Sequence, residues 1–427
     1  MEEKFDTIIV GAGLAGIACA YKLAKSGCNV LVVERGKFAG AKNMWGGAFC
    51  GPVLSDLIPD FWDEAPIERH VARHIYSFSS NGRSSSISFE AKSSDKPPYE
   101  SYIILRSKFD SWFAKQAGNA GAIIAEGLEA TDLLWNGNQV CGIKCREEDF
   151  RADVVVLCDG INSELARKAG LSEELKPDQV KQGVKEIIKL SPEIIEQRFN
   201  LQNNQGVSWQ FVGSCTRGLP GGAFIYTNKD SLSVGIVVQL SALAENKVTA
   251  NELLEDFKAS SPVCELIKDG KLEEYSAHLI PVSGRIPKLY NDGLMVAGDA
   301  AGLVIGTGLI LEGGNLAVAS GIAAADTVQF CREKGDFSSG SLSHYQHLLE
   351  DSFVLKDLET FKRAPHFLEN SRIYQEYPDL LCNLLDQTLT NNGKPRYSTY
   401  RLFRKLIKGK VSITNIIKDA IRAMRSI

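Results

Sequence analysis

The chain of 427 residues is long enough for a sizeable core and two or three domains, and its apolar and charged fractions are those of a soluble globular protein. Its net charge of −4 hides an asymmetry: residues 401–427 hold eight Lys or Arg against one acid, so the 400 residues before them sum to −11. The ten cysteines include no C-x-x-C, the nearest pair being Cys141 and Cys145, which argues against an iron–sulfur or structural zinc site and for small core residues.

In chain order, chemistry comes first. In "FDTIIVGAGLAGIACAYKLAKSGCNVLVVER" the apolar run Thr7 to Val10 reads as a buried parallel strand. Gly11, Gly13 and Gly16 follow at G-x-G-x-x-G spacing. Ala18 to Lys25 reads as a helix ended by Gly27, and Val30 to Val33 as a second strand closed by Glu34, with Arg35 beside it. Gly11 allows a tight turn, Gly13 lets backbone approach a pyrophosphate, and Gly16 lets helix pack on strand. The helix start offers free N–H groups to phosphates, and Glu34 can accept from ribose hydroxyls. With strand, helix and terminal acid all in place, this is a dinucleotide-binding unit; FAD and NAD both fit it.

Three later segments separate the two. "YIILRSKFDSWFAKQA" carries Arg106, Phe109 and Asp110 as R-x-x-F-D. "RADVVVLCDGINSELARKAG" ends a buried strand at Asp159-Gly160 and places Ser163 and Arg167 on the next helix. "DGLMVAGDAAG" ends another strand at Gly298-Asp299. Together these resemble the signatures of the FAD-dependent aromatic-hydroxylase and geranylgeranyl-reductase superfamily. The resemblance implies non-covalent FAD, with Asp299 on the ribitol and Arg106 on the phosphate and ribitol side. No second dinucleotide fingerprint appears, so a dedicated NAD(P)H domain is not expected.

Directly after Asp299 runs "GLVIGTGLILEGG", Gly302 to Gly314, with five glycines in thirteen residues and one carboxylate, Glu312. A buried helix would not carry so many glycines, each costing about 1 kcal/mol there. Placed after the ribitol-binding aspartate, the segment is expected to wall the flavin ring. Gly313, Gly314 and Asn315 open a helix whose positive end can face negative charge on the ring. The apolar Leu303, Val304, Ile305, Leu309, Ile310 and Leu311 suit a hydrophobic second substrate or, alternatively, only pack the wall. Gly221 and Gly222 pose a similar choice, a quinone contact or a β-bulge or tight hairpin.

The segments "GAKNMWGGAFCG" (40–51), "GGAFIYTNKDSLSVGIVV" (221–238), "EYSAHLIPVSG" (274–284) and "SFVLKDLETFKRAPHFLEN" (352–370) narrow the resemblance. Across essentially the whole chain the sequence is similar to FixC-type electron-transfer flavoprotein:quinone oxidoreductases. That resemblance implies electrons from a FixAB-type electron-transfer flavoprotein (alpha and beta subunits) through a [4Fe–4S] cluster on a separate FixX-type ferredoxin-like subunit. It implies a membrane quinone as acceptor, Gly221, Gly222, Ile305 and Leu309 as quinone contacts, and a place as the high-potential branch of an NADH-oxidising, electron-bifurcating complex. Glu312 departs from the pattern, which would have a basic residue near that position.

The expected fold is α/β. A discontinuous Rossmann-type FAD-binding domain takes residues 1–70, 100–168 and 278–335, and an antiparallel-sheet substrate domain takes 71–99 and 169–277. A helical C-terminal region, 336–427, ends in a basic amphipathic tail. In that tail Ile413, Ile416, Ile417, Ala420, Ile421, Met424 and Ile427 share one helical face, with Thr414, Lys418, Arg422 and Arg425 on the other. Such a helix fits an anionic membrane surface, or packs its apolar face on the FAD domain while its cations meet an acidic partner. There is no 18-residue apolar stretch and no signal-peptide pattern, so a cytoplasmic protein on the inner face of the cell membrane is expected. The six histidines form no H-E-x-x-H, no G-x-S-x-G or Walker loop occurs, and nucleic-acid binding has only the tail in its favour. Other classes left open are a flavin monooxygenase, an isoprenoid double-bond reductase and a redox-silent scaffold.

Overall fold

A computed structural model describes residues 4–42, 46–90, 96–146, 148–202, 204–282, 286–391, 393 and 395–427. Residues 43–45 and 283–284 of the quoted segments lie outside them. The β-branched runs at the start of the chain pair in register as the pattern predicts. Lys4–Val10 lies parallel between Val30–Glu34 and Asp149–Leu157, Leu294–Val296 extends the sheet beyond Asp149–Leu157, and Ile123–Glu126 extends it beyond Val30–Glu34. The inner strands are buried on both faces, with Ile8, Ile9, Val32, Val155 and Leu294 fully inside, while the edge strand Ile123–Glu126 is partly exposed; each fully buried side chain contributes about 1.5–3 kcal/mol relative to exposure. Helices Leu14–Lys25 and Gly314–Lys334 pack together on this sheet.

Among the described residues a second sheet has nine strands, in the order Lys271–Pro281, Val180–Lys189, Ser231–Gln239, Gly221–Thr227, Gln205–Gly213, Ile67–Ser80, Ser101–Leu105, Gly46–Cys50, with Arg83–Glu90 on the flank of Ile67–Ser80. One face is sealed by helices Pro192–Phe199, Ala250–Ala259 and Val263–Leu266 around Val207, Ile225, Val234 and Phe257. The other face looks towards the first sheet. Gly46–Cys50, Ser101–Leu105 and the 278–281 end of Lys271–Pro281, assigned by sequence to the FAD-binding part, pair within this second sheet. Their local patterns do not record which neighbour they meet. The sheet is also not wholly antiparallel, because Gln205–Gly213 runs parallel to Ile67–Ser80.

The C-terminal region is helical, as expected, and its last helix, Ile413–Met424, is oriented by one acid. Asp419 is buried and accepts from Arg372 Nε at 2.7 Å, Arg372 Nη2 at 3.1 Å and the Tyr377 hydroxyl at 2.5 Å. Ile416 and Ala423 are half-buried on that side and Ser426 is buried, while Ile413, Ile417, Ile421 and Met424 point to solvent, Met424 at 76 % exposure. The expectation that the apolar face packs on the FAD domain is therefore corrected: the polar clasp faces inward and the apolar stripe outward. Burial alone would raise the Asp419 carboxyl, but Arg372, Tyr377 and Asn370 outweigh it and hold it at about 2. Its contribution is full above the unfolded value of about 3.9 and is lost as pH falls towards 2, on the order of 2 kcal/mol. In thermal melts followed by circular dichroism, Asp419→Asn should lower stability by about that amount at pH 6. The gap between variant and parent should close as pH drops below 4.

Candidate functional site

Two cavities lie between the sheets and share a wall. The first, about 440 Å³, runs from Glu34, Arg35 and Leu128–Thr131 at one end, past Gly11, Gly13 and Asp159, to Arg106, Asp299, His278 and Leu311–Gly314 at the other. The second, about 320 Å³, lies beyond Leu311–Gly314 and is lined by Phe49, Cys50, His74, Tyr76, Phe89, Gln210, Tyr226, Leu309, Ile310 and Asn315 among others. Both volumes fall in the range of small-molecule sites.

The first cavity is a cradle of backbone. Gly11 adopts φ +103, and a Cβ there would lie 2.4 Å from the Cys158 carbonyl oxygen. Gly16 is required by contact: a Cβ would come within 2.0 Å of Gly11 O. Helix Leu14–Lys25 begins after Gly13 with no side-chain cap, so its first N–H groups are available to an anion. Glu34 Oε2 accepts from Ala12 N–H at 2.9 Å and Oε1 from Gly36 N–H at 2.6 Å, which holds the carboxylate at the strand end. Across the cavity Arg106 donates to Asp110 through Nε and Nη2, both at 2.7 Å, and Asp110 is fully buried. The acid of R-x-x-F-D thus orients the arginine, a fork geometry that adds specificity as well as strength.

Asp159 is pushed up to about 6 by burial, which a 2.8 Å bond from Ser163 Oγ and the charge of Arg35 only partly offset. Burial also raises Asp299, with Arg106 and His278 pulling the other way. In the second cavity burial and then Glu312 push Cys50 up to about 11, burial raises Tyr226 to about 12, and burial lowers His74. These groups are neutral at pH 7, and Glu312 is the carboxyl group on that lining.

Of the sequence-predicted cofactor residues, Gly11, Gly13, Glu34, Arg35, Arg106, Asp159, Gly298, Asp299, Gly313 and Gly314 line the first cavity. Gly16 sits behind it as packing. Asn315 lines the second cavity instead, its Nδ2 donating to Glu312 Oε2 at 2.7 Å. The glycine-rich stretch divides. Leu303 and Ile305 are core residues, Val304 touches the first cavity, and Leu309–Leu311 line the second, Leu309 at 51 % exposure. The short pairing of Ile305–Gly306 with Leu311–Glu312 makes the division, and Tyr76 hydroxyl pins the tip through Leu309 O at 2.8 Å. Among the expected quinone contacts, Leu309 is on a cavity and Ile305 is not. Gly221 and Gly222 line neither cavity: a Cβ at 221 would meet Val237 O at 2.3 Å and one at 222 Phe211 O at 2.8 Å, so close sheet packing accounts for both glycines. Cys50, His74, Tyr76, Tyr226 and the Leu128–Thr131 end were not singled out from sequence, because no local motif marks them.

The uncapped helix start, the acid at the second strand end, and an elongated cavity closed by Arg106 and Asp299 fit FAD. They define the class as an FAD-dependent oxidoreductase. Residues 6–82 match the family described as FAD dependent oxidoreductase, and residues 364–427 match the ETF-QO/FixC family C-terminal domain. The chain is 41 % identical to "Probable electron transfer flavoprotein-quinone oxidoreductase YdiS" of Escherichia coli (strain K12), over 99 % of this chain and 98 % of that one. It is 41 % identical to Protein FixC of the same organism, over 99 % of each chain, and 38 % identical to Protein FixC of Azotobacter vinelandii, over the full length of both. This chain belongs to the ETF-QO/FixC family. Solved structures share the fold: a geranylgeranyl bacteriochlorophyll reductase-like protein from Thermoplasma acidophilum superposes with a TM-score of 0.74 at 21 % identity, covering 99 % of this chain and 100 % of that one. The flavin-dependent brominase Bmp2 gives 0.67 at 17 % identity, covering 95 % and 98 %.

Glu34→Ala and Asp299→Ala should each weaken FAD retention at least about tenfold, a loss of about 1.4 kcal/mol in binding. The double variant should purify as folded apoprotein. Flavin absorbance per polypeptide, read beside the far-ultraviolet circular dichroism, checks this, and full flavin content in the double variant would contradict it.

Proposed function

We propose that this chain takes electrons from a FixAB-type electron-transfer flavoprotein, through a [4Fe–4S] cluster on a small ferredoxin-like subunit, and delivers them to a membrane quinone in the second cavity. The observation that carries this reading is the wall Leu311–Gly314, common to a cavity fitted to FAD and a second cavity with an apolar rim. FAD, when bound, supplies the redox chemistry, accepting electrons singly and giving up two. The chain's own residues bind and orient. Gly13, Glu34 and Arg106 hold the cofactor's phosphates and sugars, Asp299 holds its ribitol, and Gly313 with the uncapped start of Gly314–Lys334 offers N–H groups to the ring. Phe49, Phe89 and Leu309–Leu311 give the second cavity the apolar lining a quinone ring needs, and Gln210, Ser208 and His74 offer polar contacts to its oxygens. With a FixAB-type partner, this chain serves as the high-potential branch of an NADH-oxidising, electron-bifurcating assembly.

The surface around the second cavity supports access from a bilayer. Phe89 and Leu311 are exposed on its rim together with Leu309. Beside the rim, Gly308 lies against Leu368 of helix Ala364–Leu368, and that helix packs on Ile413–Met424. The helix that carries the outward stripe of Ile413, Ile417, Ile421 and Met424, flanked by exposed Lys418, Arg422 and Arg425, is thus linked to the rim through Ala364–Leu368. Apolar residues at the interface level and cations among anionic headgroups, at about 1 kcal/mol per nearby cation, fit peripheral attachment. No helix among the described residues is long and apolar enough to cross a membrane.

Two measurements test the proposal. Stopped-flow quinone reduction from an electron-transfer flavoprotein should be slow with this chain alone and at least about tenfold faster once a ferredoxin-like [4Fe–4S] subunit is added. Equal rates with and without that subunit would refute the relay. Deleting residues 411–427, or raising salt, should weaken sedimentation with anionic liposomes while binding to the ferredoxin-like subunit persists. Loss of subunit binding with liposome binding intact would assign the tail to the partner.

A further inference from the structure

The second cavity is lined by one carboxyl group, at the place where the proposed reaction consumes protons. Glu312 lines both cavities and is set at the end of the short Ile305–Gly306/Leu311–Glu312 pairing. Its Oε2 accepts from Asn315 Nδ2 at 2.7 Å, and Oε1 stands 4.0 Å from Cys50 Sγ. The titratable groups facing it in the second cavity are Cys50, His74, Tyr76 and Tyr226, and those in the first are Arg106, Asp299 and His278. Cys50 and Tyr226 hold their protons far too tightly to give them up near neutral pH, and His74 is disfavoured as a cation by burial. Glu312 is the carboxyl group on the lining, half-exposed and within reach of both the cofactor side and the quinone side.

From this position we infer that Glu312 is the general acid that protonates the quinone, and that Asn315 is the residue that positions it. The inference rests on the quinone reading above and adds the residue that completes the reaction. A quinone becomes a quinol by gaining two electrons and two protons. Bound FAD, once reduced, would supply both electrons and one proton. The carboxyl O–H of Glu312 breaks and a new O–H bond forms on the quinone oxygen, supplying the second proton. The carboxylate that remains keeps its hydrogen bond from Asn315 and regains a proton from water at the open mouth beside Leu309. A departure from the family pattern, an acid near a position where a base was expected, thereby acquires a chemical role.

The test compares an acceptor that needs protons with one that does not. FAD-loaded Glu312→Gln is reduced photochemically and mixed with a short-chain water-soluble quinone or with ferricyanide, which takes one electron and no proton. Quinone affinity for the oxidised protein is read separately from quenching of flavin fluorescence. The inference expects the quinone still to bind, ferricyanide reduction to persist, and quinone reduction to slow about a hundredfold relative to it, in the range general acid catalysis supplies. Formate should restore part of the quinone rate in Glu312→Ala, and Asn315→Ala should show a milder loss confined to quinone. Quinone reduction at the parent rate in Glu312→Gln would overturn the inference. Equal slowing with both acceptors would also overturn it, since the residue would then act on the cofactor. A parent protein that neither binds nor reduces the quinone would sink the underlying reading instead, and the inference with it.

Discussion

Everything at the site depends on one backbone contact between two helices. A Cβ at Gly321 would lie 2.1 Å from Ala15 O, so Leu14–Lys25 and Gly314–Lys334 touch main chain to main chain. Interhelical distances are set by the side chains at the contact, and a glycine there permits the shortest. Because both helices begin at the cavity, this contact brings two uncapped N-termini to bear on the same space, one at the phosphate end and one at the ring end. The first sheet fixes the near ends of both through Gly11 and Gly298, each at the tip of a parallel strand. Binding a long anionic cofactor then needs few charged side chains, since Arg106 and the two helix starts supply the positive field.

The second sheet sets a second cavity beside that cofactor site. Its cavity-lining face presents His278 to the first cavity and His74, Tyr76 and Tyr226 to the second, from strands far apart in the chain. Between them lies a stretch too rich in glycine for a helix and too apolar for an ordinary loop. Thr307 closes the stretch internally, its Oγ1 accepting from Ile310 N–H at 2.9 Å, and Tyr76 ties the tip to the sheet. A thin wall of this kind would keep two ligands close without letting them mix, as the proposed quinone reduction requires.

The parts legible in the sequence were those whose chemistry is local. The glycine spacing, Glu34 at the strand end, Arg106 with Asp110 four residues later, and Gly298-Asp299 are each recognisable from a few residues of spacing, although Gly11 meets Cys158 and Glu34 meets Ala12 only in the fold, and the cavity collects them. What the sequence did not show was decided by long-range pairing. The strands Gly46–Cys50 and Ser101–Leu105 look like any other short apolar strand, and only their register with each other and with Ile67–Ser80 assigns them to the second sheet. Gly221 and Gly222 read as a quinone contact or as a β-bulge or tight hairpin; they sit in regular pairing with Ser231–Gln239, where the carbonyls of Val237 and Phe211 leave no room for a side chain. In the tail the apolar stripe was plain, but its direction was not, because that depends on Asp419 finding Arg372 from 47 residues away.

The most direct test of the two-cavity account is an experimental structure of the protein with FAD and a non-reducible quinone analogue. The account predicts FAD along the first cavity, with its ring against Leu311–Gly314. It predicts the analogue between Phe89 and that same wall, one of its oxygens within hydrogen-bond distance of Glu312. An analogue bound at Gly221-Gly222, or a flavin ring filling the space beside Tyr226 and His74, would contradict it.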